Sequence, residues 1–152
     1  MPSHQTPTGI TITSYKEAGD WAALPFGLRQ MPIRFGDGSD DSRPIMVLTQ
    51  FPPNATLPRH NHPAAFCDAV VAGSMWVDDD QVWYPQGTIR HVPAGIDYGP
   101  TKSGPDGLTL LEFYETFAGF PAVLDDASLT EEDREEIDRY LAARTGANEE
   151  AS

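Results

Sequence analysis

Pro58-Arg59-His60-Asn61-His62-Pro63 sets two histidines two residues apart, just after an apolar run. A strand has a side-chain period of two, so both imidazoles leave one face and aim at one point in space. Neutral imidazole nitrogens bind zinc, iron, copper or nickel, and a His-x-His pair supplies two adjacent positions of a coordination sphere. The same pair also reads as two polar residues at a strand end, so its surroundings decide between the two.

On either side the chain is cut into short apolar runs by 13 glycines and 14 prolines, the pattern of many strands joined by turns. Upstream, residues 10–15 alternate as an edge strand, 30–35 form another short strand, and 36–41 a polar loop. Residues 44–51 form a strong strand that Pro52-Pro53-Asn54 ends. Downstream, residues 66–72 read as a strand closed by Gly73-Ser74, and 75–77 with 81–84 as a hairpin around Asp78-Asp79-Asp80. Strands follow at 88–92 and 108–117. The expected class is all-β, an antiparallel sandwich or small barrel, in which a His-x-His near a strand end points into the cavity.

The character changes after Pro121. Ser128-Leu129-Thr130-Glu131 has the form of a capping box, followed by an acidic first turn that suits the positive end of a helix dipole. A helix of about four turns is expected to reach Arg144, with Gly146 past its end. Its apolar stripe, Leu129, Ile137, Tyr140 and Leu141, is narrow enough to pack only on the outside of the domain or on a second subunit. The expected organisation is a flexible N-terminus at 1–9, a barrel at 10–121 and an acidic helix and tail at 122–152.

Composition excludes several classes. At 152 residues the chain is one domain with one real core, and 39% apolar residues suit a globular protein. A net charge of −13 repels a phosphate backbone, so nucleic acid is not an expected partner. Much of the excess lies in the C-terminal helix. A single cysteine, Cys67, excludes an internal disulfide, and no long apolar stretch offers itself to a membrane. A cytoplasmic location and a small-molecule partner are expected, with a homodimer as the assembly.

At this point the residues resemble the cupins, small jelly-roll β-barrels with a metal in the mouth. Their first motif, Gly-x5-His-x-His-x3–4-Glu-x6-Gly, is matched by Asn54, His60, His62, Phe66 and Gly73. Their second, Gly-x5-Pro-x-Gly-x2-His, is matched by Gly87, Pro93 and Gly95, with Tyr98 in the histidine slot. The likeness spans residues 48–114, and the spacing from His62 to Gly73 also resembles the small acetylacetone-dioxygenase-like cupins, which hold ferrous iron with three histidines. The resemblance implies a divalent transition metal on His60 and His62, Fe(II) first and Zn(II), Mn(II) or Ni(II) otherwise. Phe66 removes the carboxylate ligand, and Tyr98 replaces a good ligand with a phenol whose ordinary pKa is near 10.

Three residues are candidates to complete the site. His91 is expected inward, because charged Arg90 beside it should face water; it is then a third ligand, a base or a core residue. Asp68 shares the face of Phe66 and can orient an imidazole or ligate directly, giving two histidines and one carboxylate. Tyr98 is a ligand or an acid/base hydroxyl. Cys67, of opposite parity, is expected outward, and strand parity leaves open which of Glu112 and Glu115 is inside. The function these point to is a metal-dependent enzyme of dioxygenase type acting on a small carbonyl or enolisable molecule. The alternatives are a non-redox isomerase, cyclase or lyase, a small-ligand sensor whose metal site has degenerated, and an interaction protein working through its acidic helix.

Overall fold

The computed structural model describes residues 3–16, 21–36 and 38–150. Residues 1–2 of the expected N-terminus, 37 of the expected loop and 151–152 of the tail lie outside the described residues. In chain order the strands are β1 (Ser3–Gln5), β2 (Thr11–Thr13), β3 (Ala22–Ala23), β4 (Arg29–Arg34), β5 (Ile45–Phe51), β6 (Thr56–Leu57), β7 (His60–Asn61), β8 (Phe66–Val77), β9 (Val82–Pro85), β10 (Ile89–Val92), β11 (Thr101–Tyr114) and β12 (Val123–Leu124), followed by helix α1 (Glu131–Glu150). One sheet runs β10-β8-β11-β5-β4-β3, with β6 added on β11 and β9 on β8. A second, small sheet pairs β12 with β7 and stands across the cavity from the first. All pairings are antiparallel. No helix among the described residues is long and apolar enough to cross a membrane.

Two strands are longer than the turn signals suggest. Gly73-Ser74 does not end a strand; β8 continues through it, and β11 starts at Thr101 and passes over Gly104 and Gly107. The register between the two shifts between Ser103 and Leu108, so these glycines build a bulge and the strands bend instead of stopping. Gly73 has φ of +74°, and a Cβ there would overlap the Gly107 carbonyl. Gly73→Ala is expected to lower unfolding free energy by roughly 3 kcal/mol or more, read from urea denaturation, because strain and overlap act together.

The helix also differs from its sequence reading. Its N-cap is Thr130, whose Oγ1 accepts from the Asp133 N–H at 3.1 Å while Asp133 Oδ2 accepts from the Thr130 N–H at 2.9 Å. The capping box is thus two residues later than Ser128, which lies in a 3-10 turn instead. Gly146 is inside the helix, without the positive φ that a C-terminal glycine cap uses. At the other end of the chain, β1 pairs with β2 and neither joins the main sheet.

The core divides in two. Leu28, Phe51, Val70, Met75, Val77, Leu108 and Leu110 form one cluster; Ile45, Val47, Ala64, Phe66 and Tyr114 form the other. Burying each such side chain contributes about 1.5–3 kcal/mol. Thr49, Asp68 and Glu112 are buried on the same face of the sheet as these apolar residues. Polar groups placed there need partners, and those partners make up the site.

Candidate active site

His60 and Tyr98 face each other across an isolated bridge, exchanging backbone hydrogen bonds of 3.1 and 2.9 Å. Asn61, between the histidines, turns the other way and donates to Asp97 Oδ1 at 2.8 Å. His60 and His62 therefore leave the chain on one side, as a period of two requires, with ring centroids 5.1 Å apart. The His60 Nδ1–H donates to Pro58 O at 2.8 Å, leaving Nε2 to accept from the Tyr98 hydroxyl at 2.9 Å. The His62 Nδ1–H donates to Phe120 O at 2.6 Å, and its Nε2 stands 3.4 Å from the Tyr114 hydroxyl. The Phe120 carbonyl is held there by close packing at Gly119, where a Cβ would collide with Ala64 and whose carbonyl accepts from the Ala64 N–H.

Both imidazoles are neutral. Burial lowers the pKa of His60 to about 4, and burial lowers that of His62 as well. Burial likewise raises the pKa values of Tyr98 and Tyr114, so both keep their protons. Phe66, in the slot of the cupin glutamate, is buried against His62 at 5.0 Å and stacks on Tyr114 at 4.7 Å.

Opposite this pair, the main sheet carries a row of charges. Register places Arg90 against Asp68, and Asp68 against Glu112. Arg90 binds Asp68 through two bonds, Nε to Oδ1 at 3.0 Å and Nη2 to Oδ2 at 2.6 Å, a fork that leaves Nη1 outside the pair. This corrects the expectation for His91. Arg90 turns inward because buried Asp68 opposite it demands a cation, and His91, one residue on, is exposed on the outer face opposite Cys67. His91 meets neither histidine of the pair. Asp68 is inward as expected, but as the partner of Arg90, and not of an imidazole.

Glu112 is the residue that parity left unassigned. It is 6% exposed, while Glu115 faces out. Its Oε2 accepts from Thr49 Oγ1 at 2.6 Å, Thr49 in turn accepts from Gln30 Nε2 at 3.1 Å, and Oε1 lies 3.4 Å from the Tyr114 hydroxyl. Burial raises its pKa to about 7, and the Asp68 charge pushes the same way against the lowering by Thr49 and Arg90. Only the cross-strand register, invisible in one strand alone, brings Arg90 and Glu112 into the site.

Thr49, His60, His62, Arg90, Tyr98 and Glu112 line a cavity of about 380 Å³ together with Leu28, Phe51, Leu57 and Leu110, within the range of small-molecule sites. Thr101 also lines it; its buried hydroxyl is the one such side-chain oxygen without a hydrogen-bond partner among the described residues.

Solved structures place this architecture. The chain superposes on an acetylacetone dioxygenase from Acinetobacter johnsonii with a TM-score of 0.56 and 13% identity, covering 84% of this chain and 89% of that one. An RmlC-like cupin from Shewanella frigidimarina gives 0.53 at 20% identity, over 75% of this chain and 93% of that one. This is a cupin fold. The polyketide cyclase RemF from Streptomyces resistomycificus matches this cupin barrel at 0.55 and 21% identity, over 76% of this chain and 78% of that one. No protein-family model matches the chain, and no curated protein does.

The cupin fold raises the question of a metal, and the donors answer it. The two Nε2 lone pairs suit a transition ion, since each Nδ1–H is pinned to a carbonyl as ligating histidines usually are. The remainder of the donor set falls short. Among the described residues no three of His, Cys, Asp and Glu stand close enough to hold an ion. Phe66 replaces one donor, Tyr98 offers a phenol in place of an imidazole, and the Arg90 guanidinium carbon lies 5.2 Å from the Tyr98 ring. Two neutral nitrogens beside a fixed cation fall short of the three or more protein ligands that hold a divalent transition ion. The residues present do not fit a resident transition metal. Protein loaded with Fe(II) or Zn(II) and then desalted is expected to keep well under one equivalent by mass spectrometry; stoichiometric retention would overturn this conclusion.

Proposed function

We propose that this cupin-fold chain is an enzyme that moves protons on a small, largely apolar molecule bearing a carbonyl or enolisable group, in the class of isomerases, cyclases and lyases. The observation that carries the proposal is Glu112, a buried cavity carboxyl with a pKa near 7, set one cross-strand position from the Asp68–Arg90 pair. A general base works best when its pKa lies near the operating pH. As the carboxylate, Glu112 takes the proton α to the substrate carbonyl; the electron pair of that C–H bond moves to the carbonyl oxygen. Arg90 supplies the fixed positive charge for the enolate that forms. Protonation of the enolate carbon by the Glu112 acid at a different position gives the isomer. His60 and Tyr98 form a neutral pair that can carry a proton at the other side of the cavity.

The oxygen chemistry of the acetylacetone-dioxygenase likeness needs an iron that this donor set does not hold. The apolar walls and the unpaired Thr101 hydroxyl support a small organic ligand in either case. A cytoplasmic, small-molecule setting belongs to the same proposal. The test is deuterium exchange. Aryl ketones and β-diketones that raise the melting temperature are incubated with the protein in D2O containing a chelator, and α-exchange is followed by NMR. Chelator-insensitive, enzyme-dependent exchange is expected. Binding without any exchange would replace the enzyme with a sensor.

A further inference from the structure

The rim of the cavity carries a charge that the chemistry at its floor does not use. Helix α1 lies against the turn formed by Pro25–Gly27, and the Phe26 N–H donates to Glu136 Oε1 at 3.3 Å. Two turns further along the helix, exposed Arg144 joins Leu24, Pro25, Ala122 and Leu124 in lining the cavity. Arg34, Arg43, Arg59, Arg90, Arg134 and Arg139 each face a carboxylate. Arg144 does not. Its partner among the described residues is neutral: Nη1 donates to the Tyr140 hydroxyl at 3.2 Å, and the guanidinium lies 5.6 Å from the centroid of that ring. The contact with Tyr140 orients the guanidinium without neutralising it. In a chain of net charge −13, with eight of this helix's 20 residues acidic, a cation left without a counter-charge at the rim of an apolar cavity is placed for an anion that arrives with the ligand.

We propose that Arg144 is a specificity residue that selects substrates bearing a carboxylate at the end remote from the reacting carbonyl, so that the substrate class is an oxo acid with an apolar body. This rests on the cavity being the substrate site. The guanidinium fork matches a carboxylate through two parallel N–H···O bonds, while the charge of the whole chain opposes a dianion such as a phosphate ester. Leu28, Leu57, Phe51 and Leu110 enclose the apolar body between rim and floor.

Isothermal titration with phenylbutyrate and with phenylbutyramide, which share an apolar body and differ in charge, tests it through binding alone. Wild type is expected to bind the carboxylate about tenfold tighter than the amide. In Arg144→Gln the preference falls to within about twofold, through weaker binding of the carboxylate only, and Arg144→Lys restores part of it. Arg139→Gln removes a cation from the same helix outside the cavity and leaves the preference intact. A preference that survives in Arg144→Gln, or that Arg139→Gln removes equally, would overturn the assignment. Equal binding of both probes to wild type sinks the role of Arg144 and leaves the cavity standing as the substrate site. Binding of neither probe to wild type sinks both.

Discussion

Glu112→Gln is expected to slow α-proton exchange by about 10²–10⁴, the range that one positioned acid/base group contributes. The loss will come from chemistry and not from unfolding, because the hydrogen bonds around the side chain can be kept. The Gln carbonyl accepts from Thr49 as Oε2 does now. Its NH2 faces the Tyr114 hydroxyl, which then accepts there and donates to His62 Nε2, 3.4 Å away in the wild type. Every partner remains satisfied, and only the ability to take a proton is lost. Exchange by the wild type should rise with pH through about 7, as Glu112 ionises, and that limb should be absent from the variant.

Two further variants complete the test. Glu112→Asp keeps the carboxylate but withdraws it by one methylene, so it should retain part of the rate. His91→Ala should leave exchange within about twofold, since the side chain is on the outer face and surface substitutions are usually near neutral. Full activity in Glu112→Gln, or a large loss in His91→Ala, would remove the basis for this site.

What the sequence made legible follows from what a local pattern can encode. The period of two placed His60 and His62 on one face, and both are buried in the cavity. Asn54, in the opening glycine slot, has φ of +57°, the left-handed geometry that a glycine there would supply. Absolute facing was harder. The rule that a charged residue seeks water assigned Arg90 outward and His91 inward. It failed because Asp68, a strand away, is buried and charge-paired, a fact of register rather than of the strand itself. For the same reason the choice between Glu112 and Glu115 stayed open until β8 and β5 were aligned on β11. The glycines at 73, 104 and 107 look like strand terminators one at a time and act as a bulge together. The capping box slid from Ser128 to Thr130 because Asp133 performs at the third position what Glu131 was expected to do.

Between about pH 4.5 and 6.5 buried Glu112 and buried His60 should pull stability in opposite directions, and removing one should expose the other. Glu112 has its pKa raised from 4.5 to about 7. Between those values the folded protein holds a proton that the unfolded chain has released, so its contribution falls as pH rises. His60 has its pKa lowered from 6.5 to about 4, so between those values the unfolded chain holds a proton that the folded protein has shed. Its contribution rises with pH, and His62, shifted in the same direction, adds to it. Each of the two larger shifts corresponds to roughly 3 kcal/mol over its window. Asp68 faces Glu112 from the neighbouring strand and Arg90 lies one strand beyond, and both remain in the variant. In Glu112→Gln the falling contribution is absent, so unfolding free energy should climb by roughly 3 kcal/mol from pH 4 to 6.5. Urea melts followed by tryptophan fluorescence measure this as the difference between variant and wild type, in which the exposed carboxylates cancel. The difference should grow in favour of the variant between pH 4.5 and 7. Parallel curves would mean that Glu112 is not held protonated by its burial, and the acid/base role assigned to it would fall with that result.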